Sequence, residues 1–246
     1  MVAIKVDALC FGYRSLRLFD GCAFGLEFGC VYGLVGPNGA GKSSLLQLLA
    51  DRRRPDAGSI RRAMPARQLG LLGQDEAAFG MLTARECVDL FGMVNRGAGP
   101  AGWRDLLRTM EPTATARAQG LAGRRSATLS AGERRWLHLE CMLSLPCLRG
   151  LLLDEPTVGV DPAYRLLMAQ RIRGWVAQQR GVVVIASHTL DELRGLCDVI
   201  LLIRNRAIEP HAGLQGFIDA YGETSADAAF AAAFGSDSDR TRPNSP

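Results

Sequence analysis

The segment Gly36-Pro-Asn-Gly-Ala-Gly-Lys-Ser43 constrains this chain more than any other. It fits the pattern G-x-x-x-x-G-K-S. It lies between a short apolar run at 31–35 and a stretch at 43–50 whose leucines (Leu45, Leu46, Leu48) predict a helix. A glycine loop between strand and helix binds phosphate for two reasons. Successive backbone N–H groups at a helix start form an anion cradle, and glycines let that backbone approach the phosphates. Gly36, Pro37, Asn38, Gly39, Ala40, Gly41, Lys42, Ser43 and Ser44 are therefore the candidate phosphate loop. Lys42 supplies a point charge for the β- and γ-phosphates, and the Ser43 hydroxyl is a candidate Mg²⁺ ligand. Lys5 and Lys42 are the only lysines among 29 basic residues, which makes a lysine at 42 more telling.

The rest of the pattern is α/β. Strands are predicted at 2–11, 24–28, 31–35, 69–73, 151–154, 182–187 and 199–203, and helices at 43–50, 163–179 and 190–196. Two weaker helical segments follow 203. From 83 to about 144 the pattern is helical. Thr83-Ala-Arg-Glu86 and Ser130-Ala-Gly-Glu133 read as capping-box starts. Breaks fall at 98–102 and at Glu111-Pro112, and Pro146 ends the second capped helix. This stretch reads as a small helical lobe inserted between strands. The expected layout is one domain over 1–235, with a core lobe of 1–80 and 145–235 and a helical lobe of 81–144. The polar stretch 236–246 is expected to be disordered. Strands alternating with helices imply a largely parallel sheet with sites at the strand C-termini.

Leu151-Leu-Leu-Asp154-Glu155 is an apolar strand ending in two acids. Two acids before a proline are often just a solvated turn. After a buried strand in a phosphate-loop protein they have a catalytic reading: Asp154 holds Mg²⁺, and Glu155 polarises an attacking water.

Bulk composition excludes several classes. A net charge of +4 is too mild to argue for nucleic acid. Cys10, Cys22, Cys30, Cys87, Cys141, Cys147 and Cys197 form no C-x-x-C pair, so they read as reduced thiols packed as small hydrophobes. Lys5 and Asp7 break any leader-like apolar run at the N-terminus. The most apolar stretch, 141–153, is far short of the ~20 residues that cross a bilayer. No direct membrane insertion is expected.

Leu129-Ser-Ala-Gly-Glu133 resembles the LSGGQ signature of the ABC (ATP-binding cassette) ATPases. With the phosphate loop and the Asp154-Glu155 strand end, it makes the chain similar to that family over about residues 2–210. Four further positions match in order. Tyr13 resembles the aromatic that stacks on adenine, although alone it reads as a sheet-edge tyrosine. Gln74 resembles the glutamine that contacts Mg²⁺ and links the lobes. Asp161 resembles the aspartate that reaches across the dimer, and it can also cap the helix after it. His188 resembles the switch histidine on the γ-phosphate.

The resemblance implies an α/β P-loop NTPase fold of the ABC ATPase type, with a mixed-sheet core, an antiparallel β subdomain and an inserted helical subdomain. It implies catalytic roles for Glu155, His188, Lys42 and Gln74, and metal contacts for Ser43, Gln74 and Asp154. Nucleotide contacts fall to Tyr13, to 36–44, to Asp161 and to Ser130, Ala131, Gly132 and Glu133, the last five serving a partner's ATP. Its implied cofactors are ATP and Mg²⁺. Its implied partners are a transmembrane permease and a second ATPase subunit, identical or not, at the inner face of a bacterial cell membrane.

Two signature positions depart from the family. Ala131 stands for glycine, and Glu133 places a carboxylate near the nucleotide. A capping box would turn Glu133 back onto the Ser130 N–H and away from the phosphates. The stretch 82–91 is similar to exporter ATPases, and no regulatory domain is expected after 210. Rival readings are a translation- or repair-type ABC ATPase, a P-loop kinase or GTPase, and a regulatory ABC module with weakened turnover.

Overall fold

The computed structural model describes residues 1–14, 16–73, 80–94, 102–188 and 190–235. The expectations for Gln74 and for the tail 236–246 lie outside these residues. Two sheets organise the fold. Strands β1 (Val2–Tyr13), β2 (Leu16–Glu27) and β4 (Ala57–Arg62) form an antiparallel sheet in the order β2-β1-β4. The other six strands are β3 (Val31–Val35), β5 (Leu69–Leu72), β6 (Gly150–Asp154), β7 (Val182–Ala186), β8 (Val199–Arg204) and β9 (Ala207–Ala212). Their order is β5-β6-β7-β3-β8-β9. The first five run parallel, and β9 pairs antiparallel with β8.

Strands β3, β6 and β7 are buried at every position. That explains why they read as unbroken apolar runs: a parallel sheet is covered on both faces, so neither face admits polar residues. Alternate side chains enter two different cores. Leu152, Val184 and Leu201 pack with α1 (Lys42–Leu49) and the antiparallel sheet, against Phe19, Leu45 and Leu48. Leu151, Leu153, Val183 and Leu202 pack on the opposite face among the helices, against Trp136, Leu139 and Phe217.

Between β5 and β6 lie α2 (Ala84–Val94), α3 (Trp103–Thr109), α4 (Pro112–Leu121) and α5 (Ala131–Leu143). The first predicted capping box forms: the Thr83 N–H donates to Glu86 Oε2 at 2.7 Å, and the Glu86 N–H donates to Thr83 Oγ1 at 3.2 Å. The fully buried Glu140 of α5 accepts two guanidinium nitrogens of Arg171 on α6 (Pro162–Gln179), the closer at 2.8 Å. This charge-assisted pair anchors the inserted helices to the layer beneath them. The described residues close with α7 (Gly213–Ala220) and α8 (Ala226–Gly235), the two closing helices expected.

Two predicted elements need correction and two strands escape prediction. Strand β2 begins at Leu16 rather than 24, because its first half alternates irregularly around Gly21. The edge strands β4 and β9 were not predicted. β4 is Ala-Gly-Ser-Ile-Arg-Arg, mostly exposed, and β9 carries Pro210, which only an edge strand tolerates. The helix expected at 190–196 is a single 3₁₀ turn, Leu190–Leu193, followed by a turn in which Gly195 adopts a left-handed φ of 68°. The seven cysteines are unbridged, with Cys22, Cys141 and Cys197 buried. Among the described residues no helix is long and apolar enough to cross a membrane.

Candidate functional site

The sheet order explains why motifs far apart in sequence meet. β3, β7 and β6 are adjacent and parallel, so their C-terminal ends lie on one edge of the sheet. β3 leads into the phosphate loop, β6 ends at Asp154-Glu155, and β7 leads to Ser187-His188. Tyr13, Asn38, Gly39, Gly41, Lys42, Ser43, Ser44 and Glu155 line one cavity of about 410 Å³.

The loop is built to bind an anion. Gly41 is the N-cap of α1, no side chain caps that helix start, and its first turn carries no acid. The N–H groups and the positive helix end are left available for phosphate. Gly41 itself has φ +103°, and a Cβ there would lie 2.9 Å from Phe19 Cζ. Only glycine meets both conditions. Lys42 Nζ donates to the Gly36 carbonyl at 2.7 Å and to that of Pro37 at 3.3 Å. Burial pushes its ammonium below the usual lysine range, and the Glu155 and Asp154 carboxylates partly restore it.

Glu155 and His188 are in direct contact, with His188 Nδ1 2.7 Å from Glu155 Oε2. Glu155 has φ +51°, unusual for a non-glycine residue. Its backbone is held on both sides: its N–H donates to the Ala186 carbonyl at 3.0 Å, and Arg135 Nη1 donates to its carbonyl. Arg135 also donates to the Val158 carbonyl at 3.2 Å. Strained backbone fixed by its surroundings is a mark of functional sites.

Asp154 fits a cation. It is 5% exposed, and its Oδ1 has no hydrogen-bond partner among the described residues. A buried carboxylate oxygen left bare is costly, and a hard cation satisfies it. Among the described residues no group of three or more His, Cys, Asp or Glu is placed to hold a metal ion, and Ser43, on the same cavity wall as Lys42, is the further oxygen donor expected for Mg²⁺.

Tyr13 is 39% exposed at the cavity mouth. Its hydroxyl lies 3.2 Å from Ser44 Oγ, and the Arg53 guanidinium sits 5.1 Å from its ring centre. Arg53 therefore covers one ring face by cation–π contact.

The second capping box forms in full. Ser130 Oγ accepts the Glu133 N–H at 3.1 Å, and Glu133 Oε2 accepts the Ser130 N–H at 2.8 Å. Arg124 Nη1 binds the other carboxylate oxygen at 2.9 Å. Partial burial opposes ionisation of Glu133, but the Ser130 N–H and Arg124 outweigh it and hold the carboxyl below its ordinary range. Ser130 and Ala131 are exposed, while Gly132 is buried. A Cβ on Gly132 would lie 2.7 Å from the Gly159 carbonyl oxygen and 2.9 Å from Val160 Cα. The start of α5 thus packs on the loop leading to Asp161, whose carbonyl accepts the first α6 bonds, from Tyr164 and Arg165. The sequence alone did not single out Arg53 or Arg135. In a chain so rich in arginine, neither position carries a signal.

Three strand ends around one phosphate cradle, with helices inserted between β5 and β6, define the class: a P-loop nucleoside triphosphatase. The profile of the family described as ABC transporter matches residues 19–158. Protein McbF of Escherichia coli is 28% identical over 225 residues, 90% of each chain. Nod factor export ATP-binding protein I of Burkholderia lata is 33% identical over 213 residues, 81% of this chain and 68% of its own length. Two solved structures share the fold. One is an ATP-binding subunit of an ABC transporter, with a TM-score of 0.77, 20% identity and coverage of 93% of this chain and 98% of its own. The other is a nucleotide-free ATP-binding cassette, with a TM-score of 0.74, 18% identity and coverage of 94% and 99%. The chain belongs to the ABC transporter family, as its ATP-binding, ATP-hydrolysing subunit.

Proposed function

We propose that this chain energises a separate transmembrane permease from the inner face of a bacterial cell membrane. It pairs with a second ATPase subunit and works in the direction of export. The functional unit is 1–235, with the core lobe 1–80 and 145–235 and the helical lobe 81–144. The observation that carries the reading is the His188–Glu155 pair beside an uncapped phosphate loop.

The chemistry follows from the residues. The N–H groups of 39 and 41–44, with Lys42, receive the β- and γ-phosphates. Tyr13, partly exposed with Arg53 over its ring, is the platform for adenine. Glu155 orients a water and accepts its proton, and His188 holds both Glu155 and the γ-phosphate. Ser43, Asp154 and Gln74 would hold Mg²⁺, which would supply charge neutralisation on the phosphates. Ser130, Ala131 and Asp161 stand exposed to meet the partner subunit and its nucleotide, and Gly132 is buried beneath the helix start. The Glu133 charge is taken up by Arg124 and the cap, which supports turnover despite the altered signature.

The permease contact falls on 74–85, of which 80–85 are among the described residues, with Arg124 and Arg125 as further candidates. These segments run side by side: Thr83 and Arg125 form a bridge, and the Ser126 N–H donates to the Leu82 carbonyl at 2.7 Å. Met81 stands 79% exposed beside them. Export is supported by likeness to a Nod factor export ATP-binding protein.

Glu155→Gln tests the scheme. ATP binding should survive, hydrolysis should fall about 10²–10⁴-fold, and a closed dimer should accumulate on size exclusion with ATP. Normal turnover in Glu155→Gln removes the residue from the general-base role.

A further inference from the structure

Behind the His188–Glu155 pair the structure buries a carboxylate that hydrolysis does not use. Glu192 lies in the turn Leu190–Leu193, with its side chain 9% exposed. Thr157 Oγ1 donates to its Oε2 at 2.6 Å, and Ser187 Oγ donates to the same oxygen at 3.0 Å. Arg165 Nη1 donates to Oε1 at 2.9 Å. Arg165 also reaches on, its Nε donating to the Val160 carbonyl at 2.9 Å.

Each donor belongs to a different working segment. Thr157 follows Glu155 by two residues, Ser187 immediately precedes His188, and Arg165 stands in the first turn of α6 beside Asp161. Val160 and Gly159 are the backbone on which Gly132 packs. One carboxylate therefore ties the loop after Glu155 to the strand end before His188. Through Arg165 and Val160 it also reaches the start of α5. With Arg165 partly exposed, the charge pair itself adds little to stability. What the pair does provide is a fixed mutual geometry of three segments.

We propose that Glu192 is a positioning residue that couples the two nucleotide sites of the ATPase pair. It keeps Glu155 and His188, which act in the subunit's own site, in register with Ser130–Gly132, which act in the partner's. Seating of the α5 start on one nucleotide and alignment of Glu155 over the other then occur together. The inference rests on the two-subunit reading above.

The test is the ATP dependence of hydrolysis by the full-length chain, beside binding of the fluorescent analogue MANT-ATP. Glu192→Gln keeps an acceptor for Thr157 and Ser187 but loses the charge that holds Arg165. We expect kcat to fall about two- to thirtyfold and the Hill coefficient to drop toward that of independent sites. MANT-ATP affinity of the dilute protein should stay at the wild-type value. Arg165→Gln, at a partly exposed position, cuts the same link without disturbing the buried carboxylate, and should reproduce the effect even where a Glu192 variant folds poorly. The double variant should be no worse than the more affected single one. Wild-type kcat and cooperativity in both variants overturn the proposal, as does a non-cooperative wild type. A loss of MANT-ATP affinity in step with kcat also overturns it, because that marks general damage. Glu155→Gln separates the two levels: if it is inactive while the Glu192 and Arg165 variants behave as wild type, only the coupling falls.

Discussion

Gly132→Ala is the substitution for which the structure predicts a sign opposite to ordinary helix propensity. Gly132 lies in α5, and alanine is favoured over glycine in a helix interior by about 1 kcal/mol. Here the added methyl would meet the Gly159 carbonyl oxygen at 2.7 Å and Val160 Cα at 2.9 Å. Both distances are several tenths of an ångström inside normal contact. Both atoms are backbone, so no flexible side chain can give way. Overpacking of this kind costs about 1–3 kcal/mol, more than a helix start gains from alanine. A net loss of about 1–2 kcal/mol lowers Tm by roughly 2–8 °C in a chain of this size. Gly120→Ala is the control. It lies in α4, and its Cβ would meet nothing within 4 Å, so it should hold or raise Tm. Thermal unfolding followed by circular dichroism reads both. Gly132→Ala should also slow ATPase turnover, because the displaced loop carries Val160 and leads to Asp161. A Gly132→Ala protein with unchanged or higher Tm and normal turnover would refute the packing argument.

Other outcomes follow from the same geometry. Glu133→Gln keeps the cap on Ser130 but loses the partly exposed pair to Arg124, worth about 0.2–1 kcal/mol, so ATPase activity should stay near wild type. Because the folded-state pKa of Glu133 is depressed, its stabilisation is present above the ordinary glutamate pKa and is lost as pH falls through the folded value. Acid unfolding of Glu133→Gln should therefore be less steep, and equal slopes would show that the carboxylate is not held. Asp154→Asn should abolish the extra thermal protection that Mg²⁺ adds to ATP, while protection by ATP in EDTA persists; an unchanged Mg²⁺ effect would place the cation elsewhere. Burial pushes the Tyr32 phenol up to about 12. Its neutral form is favoured in the fold, so stability is intact below the ordinary tyrosine pKa and falls as pH rises toward the folded value. Tyr32→Phe should flatten that alkaline loss in a denaturation series.

Much of the fold was legible because burial on both faces leaves a plain record. β3, β6 and β7 are short apolar runs, and the inserted helices α2 and α5 start with capping boxes. The phosphate loop was legible for a related reason: an anion cradle is made of consecutive backbone groups, so its residues must be contiguous. Elements that fail both conditions escaped. β4 and the first half of β2 lie in the outer sheet with mixed exposure, and β9 contains a proline.

Read alone, the chain yields chemistry written over a few neighbouring residues: Lys42 and Ser43 at a helix start, Asp154 and Glu155 at a strand end, Ser130 and Glu133 in a reciprocal cap. Only the tertiary structure decided which of these meet. The order β6-β7-β3 brings His188 against Glu155. Close packing, not helix propensity, requires glycine at 132, and pairings across 20 to 35 residues place Arg135 and Glu192 around the loop that carries Glu155. The physical reason is that hydrogen bonds between distant segments depend on where strands align. A lone arginine or glutamate carries no mark of the partner it will find.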